Sequence, residues 1–280
     1  MRLRRSILVL LVPLIACGVT NGGVRFDNPP PEYRRGPDGP QHPSTQEVAI
    51  VSFVSDATAE LKLNEAQSAR IATISSALNE KHAAALAARR TLSVDLARCV
   101  DANALDEELL MLDAKNLGDS RAAVAPDDVR ALAELHALLD AGQRKAFGAA
   151  LVARAERLKV DDAKSRLTTW SYDLRFEPAQ RAAIEAKLTE DPTGDASARA
   201  EHDAWERRLR AAGAAFVDPA FDAEVYLDKE VVETTKARTR RLLTFLRVVL
   251  PELTKEQRER AATVIRSDVG LPPRGAAEPK

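Results

Sequence analysis

Beyond about residue 65, apolar residues recur every three or four positions, the period of a helix laid against a core. Ile71, Ile74, Leu78, Ala85, Leu92 and Leu96 form one such stripe and predict a long helix from Glu65 to Cys99. A second helix is expected to begin near Leu105 and to be interrupted at Asn116-Leu117-Gly118 and at Ala125-Pro126, because proline removes a donor and disfavours helix at the residue before it. Asp127 and Asp128 then restart a helix with Val129, Leu132, Leu135 and Leu139 on its stripe, their charge suiting its positive end. After a bend at Asp140 a further helix carries Phe147, Leu151 and Leu158. Later in the chain Asp191-Pro192-Thr193-Gly194 reads as a loop, whereas Asp222 to Val249 reads as one helix ended by Pro251. Trp205, Leu209, Phe216, Leu227, Val231, Leu242, Phe245 and Val249 supply its core, and Trp170 and Tyr172 can fill a seam between the two regions. Sustained period-two alternation is missing from this pattern, so the folded part is expected to be all-α.

Four of the predicted helix starts share a short motif: Leu63-Asn64-Glu65-Ala66-Gln67, Leu139-Asp140-Ala141-Gly142-Gln143, Phe176-Glu177-Pro178-Ala179-Gln180 and Leu253-Thr254-Lys255-Glu256-Gln257. Each reads as a capping box, in which Asn64, Asp140 or Thr254 accepts from an orphan amide and the Gln three residues on reaches back. Glu177 is a poorer cap, but Pro178 stands at the first helical position, where its fixed φ and missing donor cost nothing. Ser68, Arg144, Arg181 and Arg258 occupy the position of a hydrophobic staple, which is therefore missing. The spacing carries more than any one copy. Gln67 and Gln143 lie 76 positions apart, Gln180 and Gln257 77 apart. Arg89-Arg90 and Arg207-Arg208, Val100-Asp101 and Val217-Asp218, and Leu105-Asp106 and Phe221-Asp222 recur in the same order between them. The chain reads as an internal duplication.

A helical unit bounded by two L-T-x-x-Q motifs, with an F-D-like step and the ending from Leu135 to Arg144, resembles the periplasmic Spy-like proteins. Leu253 to Gln257 matches that motif letter for letter; the other three copies depart at Thr, and the third also at Leu. The resemblance spans roughly residues 55 to 266. It implies two tandem helical-hairpin repeats, 47–160 and 161–266, packed as an elongated pseudo-dimer within one chain, followed by a disordered tail at 267–280. The family includes ATP-independent chaperones, envelope-stress regulators and heavy-metal sensors.

The N-terminus adds a location. Arg2, Arg4 and Arg5 precede an apolar run from Ile7 to Ala16 that is shorter than the roughly 20 residues needed to span a bilayer. Leu14-Ile15-Ala16-Cys17 matches a bacterial lipobox, so 1–16 reads as a lipoprotein signal peptide and Cys17 as the acylated first residue of the mature chain. Gly18 after the Cys favours the outer membrane over the inner one, with the protein facing the periplasm. Residues 17–46, rich in Pro, Gly and Asn, form a disordered tether.

Composition narrows the chemistry. A net charge of −1 carries no nucleic-acid footprint. Cys99 is left without an intrachain partner and sits on an apolar stripe, as a structural thiol does. Phosphate loops, nucleophile elbows and Cys–His or Ser–His spacings are missing, and carboxylates interleave with Arg and Lys at helical spacing, so an enzyme is not expected. No cofactor beyond the lipid on Cys17 is implied. Binding of unfolded or partly folded envelope proteins, or of an envelope-stress regulator, calls for a broad surface ringed by charge, for which Arg89, Arg90, Arg207, Arg208, Lys236, Arg238, Arg240 and Arg241 are the candidates. The alternative is a metal-responsive sensor or metal-resistance protein, with His82 and His202 converging on Glu80 or Glu201; His136 reads as an ordinary core histidine. A third reading is a structural envelope lipoprotein that binds no client.

Overall fold

Several helix starts in this chain follow from side-chain caps, and the computed structural model shows where they lead. It describes residues 61–157, 160–189, 193–226 and 229–271; the segments read as signal peptide and tether, Cys17, Leu158, Asp191, Pro192, Leu227 and the stretch from 272 lie outside the described residues. Within them all regular structure is helical: α1 (Glu65–Lys81), α2 (Ala83–Ala102), α3 (Glu107–Leu138), α4 (Ala141–Arg157), α5 (Ala163–Asp173), α6 (Pro178–Thr189), α7 (Thr193–Ala215), α8 (Val231–Val249) and α9 (Lys255–Ser267), with 3₁₀ turns at Ala223–Tyr226 and Leu250–Glu252. The all-α class therefore holds.

The predicted long first helix is two, α1 and α2, meeting at His82, whose backbone stays helical at φ −76° and ψ −3°. Its Nε2 lies 2.8 Å from Asp128 Oδ1 on α3, a hydrogen bond between side chains that are each 12 % exposed. At the far end Asn103 takes a left-handed turn (φ 52°) while the Ala104 amide donates to the Cys99 carbonyl, closing the helix.

Two further expectations fail. α3 runs unbroken through Asn116-Leu117-Gly118 and Pro126, so Asp127 and Asp128 do not start a helix. Asp127 pairs with Arg130 and Asp128 with His82 instead. Proline inside a helix costs about 3 kcal/mol, but Pro126 is exposed while its neighbours Val124, Ala131 and Leu135 are buried, so packing on either side holds the helix through it. Gly118 is not a break but a close approach: a Cβ there would lie 2.8 Å from Val232 Cα on α8. Conversely, Asp222 to Val249 is not one helix. The Asp218 carboxylate accepts from the Ala220 amide at 2.8 Å and that of Asp222 from the Glu224 amide at 3.0 Å, local bonds that compete with the helical ladder, and α8 begins only at Val231. At the other end, the Gly270 turn (φ 72°) follows α9 with Val269 buried, so the fold extends a few residues into what reads as tail.

α2 packs on α3, its neighbour in sequence, but the other large helix contacts cross the chain. α3 lies antiparallel on α8, fixed near one end by a two-pronged Arg247–Glu107 bridge and farther along by Arg121 Nη1 donating to Thr235 Oγ1 at 3.2 Å. α4 packs on α7, and α9 packs on α2. One core joins Ile71, Leu135, Leu139, Phe147 and Leu151 to Ala212 of α7 and to Phe216 just beyond its end. A second joins Leu167, Leu174, Ile184, Phe245, Leu246, Val249, Leu253 and Ala261 to Val100 of α2. Trp170 meets Phe245 edge-on at 5.5 Å in this second core. Cys99 is buried with Leu110 and Leu243 where α2, α3 and α8 meet.

Candidate functional site

The four motif copies come together in pairs. At Gln67, Gln143 and Gln257 the capping box is complete. The cap side chain accepts from the Gln amide at 2.8 Å for Asn64 and Asp140 and 3.2 Å for Thr254. The Gln Oε1 accepts from the cap amide at 3.1, 3.0 and 3.0 Å. That leaves each Gln NH₂ free to reach outward, and it reaches its partner. Gln67 Nε2 donates to Gln143 Oε1 at 2.8 Å and Gln143 Nε2 donates back to Gln67 Oε1 at 3.0 Å. Gln180 and Gln257 repeat the exchange at 2.8 and 3.0 Å.

The remaining amide protons are used in the same way in both pairs. Gln67 also donates to the Leu138 carbonyl at 3.0 Å and Gln143 to that of Lys62 at 2.9 Å. Gln180 donates to the Glu252 carbonyl at 2.6 Å and Gln257 to that of Leu174 at 3.4 Å. Each Gln thus ties its own helix start to the chain that enters the partner helix. Glutamate can close a capping box but cannot make these donations. Glu177 takes no such part; Pro178 opens α6 there, and the chain arrives through Arg175 in a left-handed conformation (φ 56°).

The candidate cations do not form one open array. Arg238 and Arg241 both bind Glu201, Arg241 also reaching Ser197 Oγ at 3.2 Å. Lys236 pairs with Glu233 at 2.8 Å, Arg208 lies 5.6 Å from the centre of the Trp205 ring, and Arg89 reaches the Asp268 carbonyl at the end of α9. Arg90, Arg207 and Arg240 are exposed.

His82 and His202 are not brought onto a shared carboxylate. His82 has Asp128, and Glu201 is taken by Arg238 and Arg241. His202 instead groups with Asp203 and Glu206, one ligand atom from each lying within 4.8 Å of the others, the one such trio among the described residues. Imidazole with carboxylates suits zinc, nickel or cobalt, but Glu206 also accepts from Arg210 Nε at 2.9 Å. His136 is a core residue: it is buried, its ring lies 5.0 Å edge-on from Phe216 and stacks on Phe221, and its Nε2–H donates to the Asp218 carbonyl at 2.9 Å. Burial holds its pKa below the usual 6.5, which favours this neutral form.

Two features escaped the sequence reading. Asp113 of α3 is only 6 % exposed, lies beside Asp95 of α2 and keeps one carboxyl oxygen buried without a partner. Burial first and the neighbouring Asp95 carboxyl second push its pKa from 3.8 to about 6. The other is the α4–α7 crossing, where Gly148 faces Gly213 so closely that a Cβ on Gly148 would lie 2.3 Å from the Gly213 carbonyl oxygen. Small residues on two apolar stripes are the signal that could have found it; nothing in the pattern marked Asp95 and Asp113 as neighbours.

A hollow of about 40 Å³ between α5, α6 and α8, floored by Phe245 and Val248, has room for a water or two. No helix among the described residues is long and apolar enough to cross a membrane. Comparison with protein-family models, curated proteins and solved structures gives no match to this chain.

Proposed function

We propose that this is a lipid-anchored, periplasm-facing protein of the Spy-like kind, built as two tandem helical hairpins that form a pseudo-dimer in one chain. On this reading it acts by holding unfolded or partly folded envelope proteins without ATP, or by reporting their presence to an envelope-stress regulator. The observation that carries the reading is the reciprocal bonding of Gln67 with Gln143 and of Gln180 with Gln257. It gives the four motif copies one shared structural role, the bringing together of the ends of a hairpin, which is what a defining family motif should have. On this reading Cys17 anchors the protein, which leaves the helical surface to bind clients. Exposed Arg90, Arg207 and Arg240 supply the charge that attracts an unfolded chain.

The test is light scattering of a denaturing client with the 47–280 chain titrated in the presence of chelator and then of zinc. Suppression of aggregation under chelator is the expected result. No suppression in either condition overturns the holding role.

A second reading, a metal-responsive sensor, is favoured by the grouping of His202, Asp203 and Glu206. It predicts stoichiometric zinc binding by calorimetry that His202→Ala abolishes. Zinc binding that survives His202→Ala removes this trio as the sensor.

A further inference from the structure

We infer that the chain up to Arg157 and the chain from Val160 onward are two interlocked halves that bind each other, the second half being built against pairing with a copy of itself, so that the covalent link between them is dispensable. The inference stands on helix packing and is independent of the holding role.

Each half closes its own glutamine pair but not its own core. Gln67 and Gln143 lie in the first half, Gln180 and Gln257 in the second. The final helix of each half then crosses to the other: α4 packs on α7 of the second half, and α9, while still meeting its own core through Ala261, packs on α2 of the first. Phe147 is fully buried, and its ring centre lies 4.5 Å from that of Phe216 in the other half. Val100 of the first half is fully buried in the second half's core. A half on its own would therefore expose its core face, and the surface that fits it is the other half.

The two crossings are not interchangeable. Gly148 stands five residues after Gln143, and Ala262 five after Gln257. At the α4–α7 crossing the backbones approach so nearly that a Cβ on Gly148 would lie 2.3 Å from the Gly213 oxygen, and one on Gly213 2.6 Å from the Gly148 oxygen. Two second halves paired with each other would set Ala262 where Gly148 now sits, its methyl against the Gly213 carbonyl. That clash discriminates against self-pairing, as a built-in repulsive element does.

A protease site inserted after Leu158 of the 47–280 chain tests this. After cleavage the protein is expected to keep the elution volume and native mass of the uncut chain and to unfold in a single transition. Separated in urea and mixed again, the halves should return as a one-to-one complex. Halves that part under native conditions, unfold in two independent transitions or re-form like-with-like pairs as readily overturn the inference. In the cut protein Gly213→Leu should release the halves, and the milder Gly213→Ala should weaken their association at least tenfold. Unchanged association in Gly213→Ala removes the glycine crossing as the source of selectivity.

Discussion

Replacing Asp113 by Asn removes a charge that the fold holds at a disadvantage. In the folded chain Asp113 titrates at about 6, against 3.8 when exposed, because it is buried between α2 and α3 beside the Asp95 carboxyl. The folded state therefore binds more protons than the unfolded chain between those values, and stability contributed by this group falls as pH rises through the window. At 1.36 kcal/mol per pKa unit the full loss is about 3 kcal/mol, roughly half of it expressed by pH 5 and nearly all by pH 7. The asparagine side chain keeps the shape, donates to Asp95 and carries no charge, so the Asp113→Asn variant escapes the loss. His136 acts in the opposite direction. Burial lowers its pKa below 6.5, so its contribution is present at neutral pH and falls away as pH drops below that value. The measurement is urea unfolding of both proteins from pH 4 to 8, read as the difference between them, in which His136 cancels. The variant should gain on the parent by about 2 kcal/mol between pH 4 and pH 7. A difference that stays flat across that range, or that shrinks with rising pH, refutes the argument that Asp113 is protonated in the fold near pH 5.

Other changes follow from single contacts. Gln257→Glu removes the donation to Gln180 and sets a carboxylate among buried groups, which should cost about 2 to 4 kcal/mol in urea unfolding, whereas Gln67→Glu in its more exposed pair should cost less; equal losses at the two sites would mean that only capping is at stake. Pro126→Ala restores an amide donor in the exposed middle of α3 and should raise stability by about 1 to 2 kcal/mol once the lost rigidity of the unfolded chain is offset; a destabilised variant would show that the helix depends on the proline's geometry. Gly118→Leu should destabilise the fold by several kcal/mol on the scale of other overpacked sites, since its side chain would start 2.8 Å from the Val232 backbone, and a melting temperature equal to the parent's would contradict the close α3–α8 contact.

How far the sequence could be read depended on the range of the interaction. Helical class, the caps at Asn64, Asp140 and Thr254, and the stripe of Ile71, Ile74 and Leu78 are local, set by neighbours three or four positions away, and were legible. Pro126 was misread because a rule about one residue's own backbone was applied without the flanking apolar contacts that keep α3 continuous. Asp222 was misread the other way, since apolar periodicity suggested a continuous helix while aspartate side chains captured the amides of Ala220 and Glu224. Glu201 looked like a ligand for His202 until Arg238 and Arg241, about forty residues away, were seen to occupy it. The Asp95–Asp113 pair belongs to the same group of contacts, decided by which faces of α2 and α3 meet.

The glutamine pairs sit between these two cases. Across the four copies the cap residue is Asn, Asp, Glu or Thr, while the residue three further on is Gln every time. Capping alone gives no reason for that contrast, because Glu closes the box as well as Gln and its charge suits a positive helix end better. The contrast is explained once each Gln must accept from its partner, three of the four from their own cap as well, while donating to that partner and to a carbonyl ahead of the partner helix. Only a primary amide offers two donors and a doubly accepting oxygen on a side chain of that length. Tolerance at the cap and uniformity at the third helical position therefore record two different constraints. The first comes from one helix end, and the second from two helix ends meeting across 76 positions of chain.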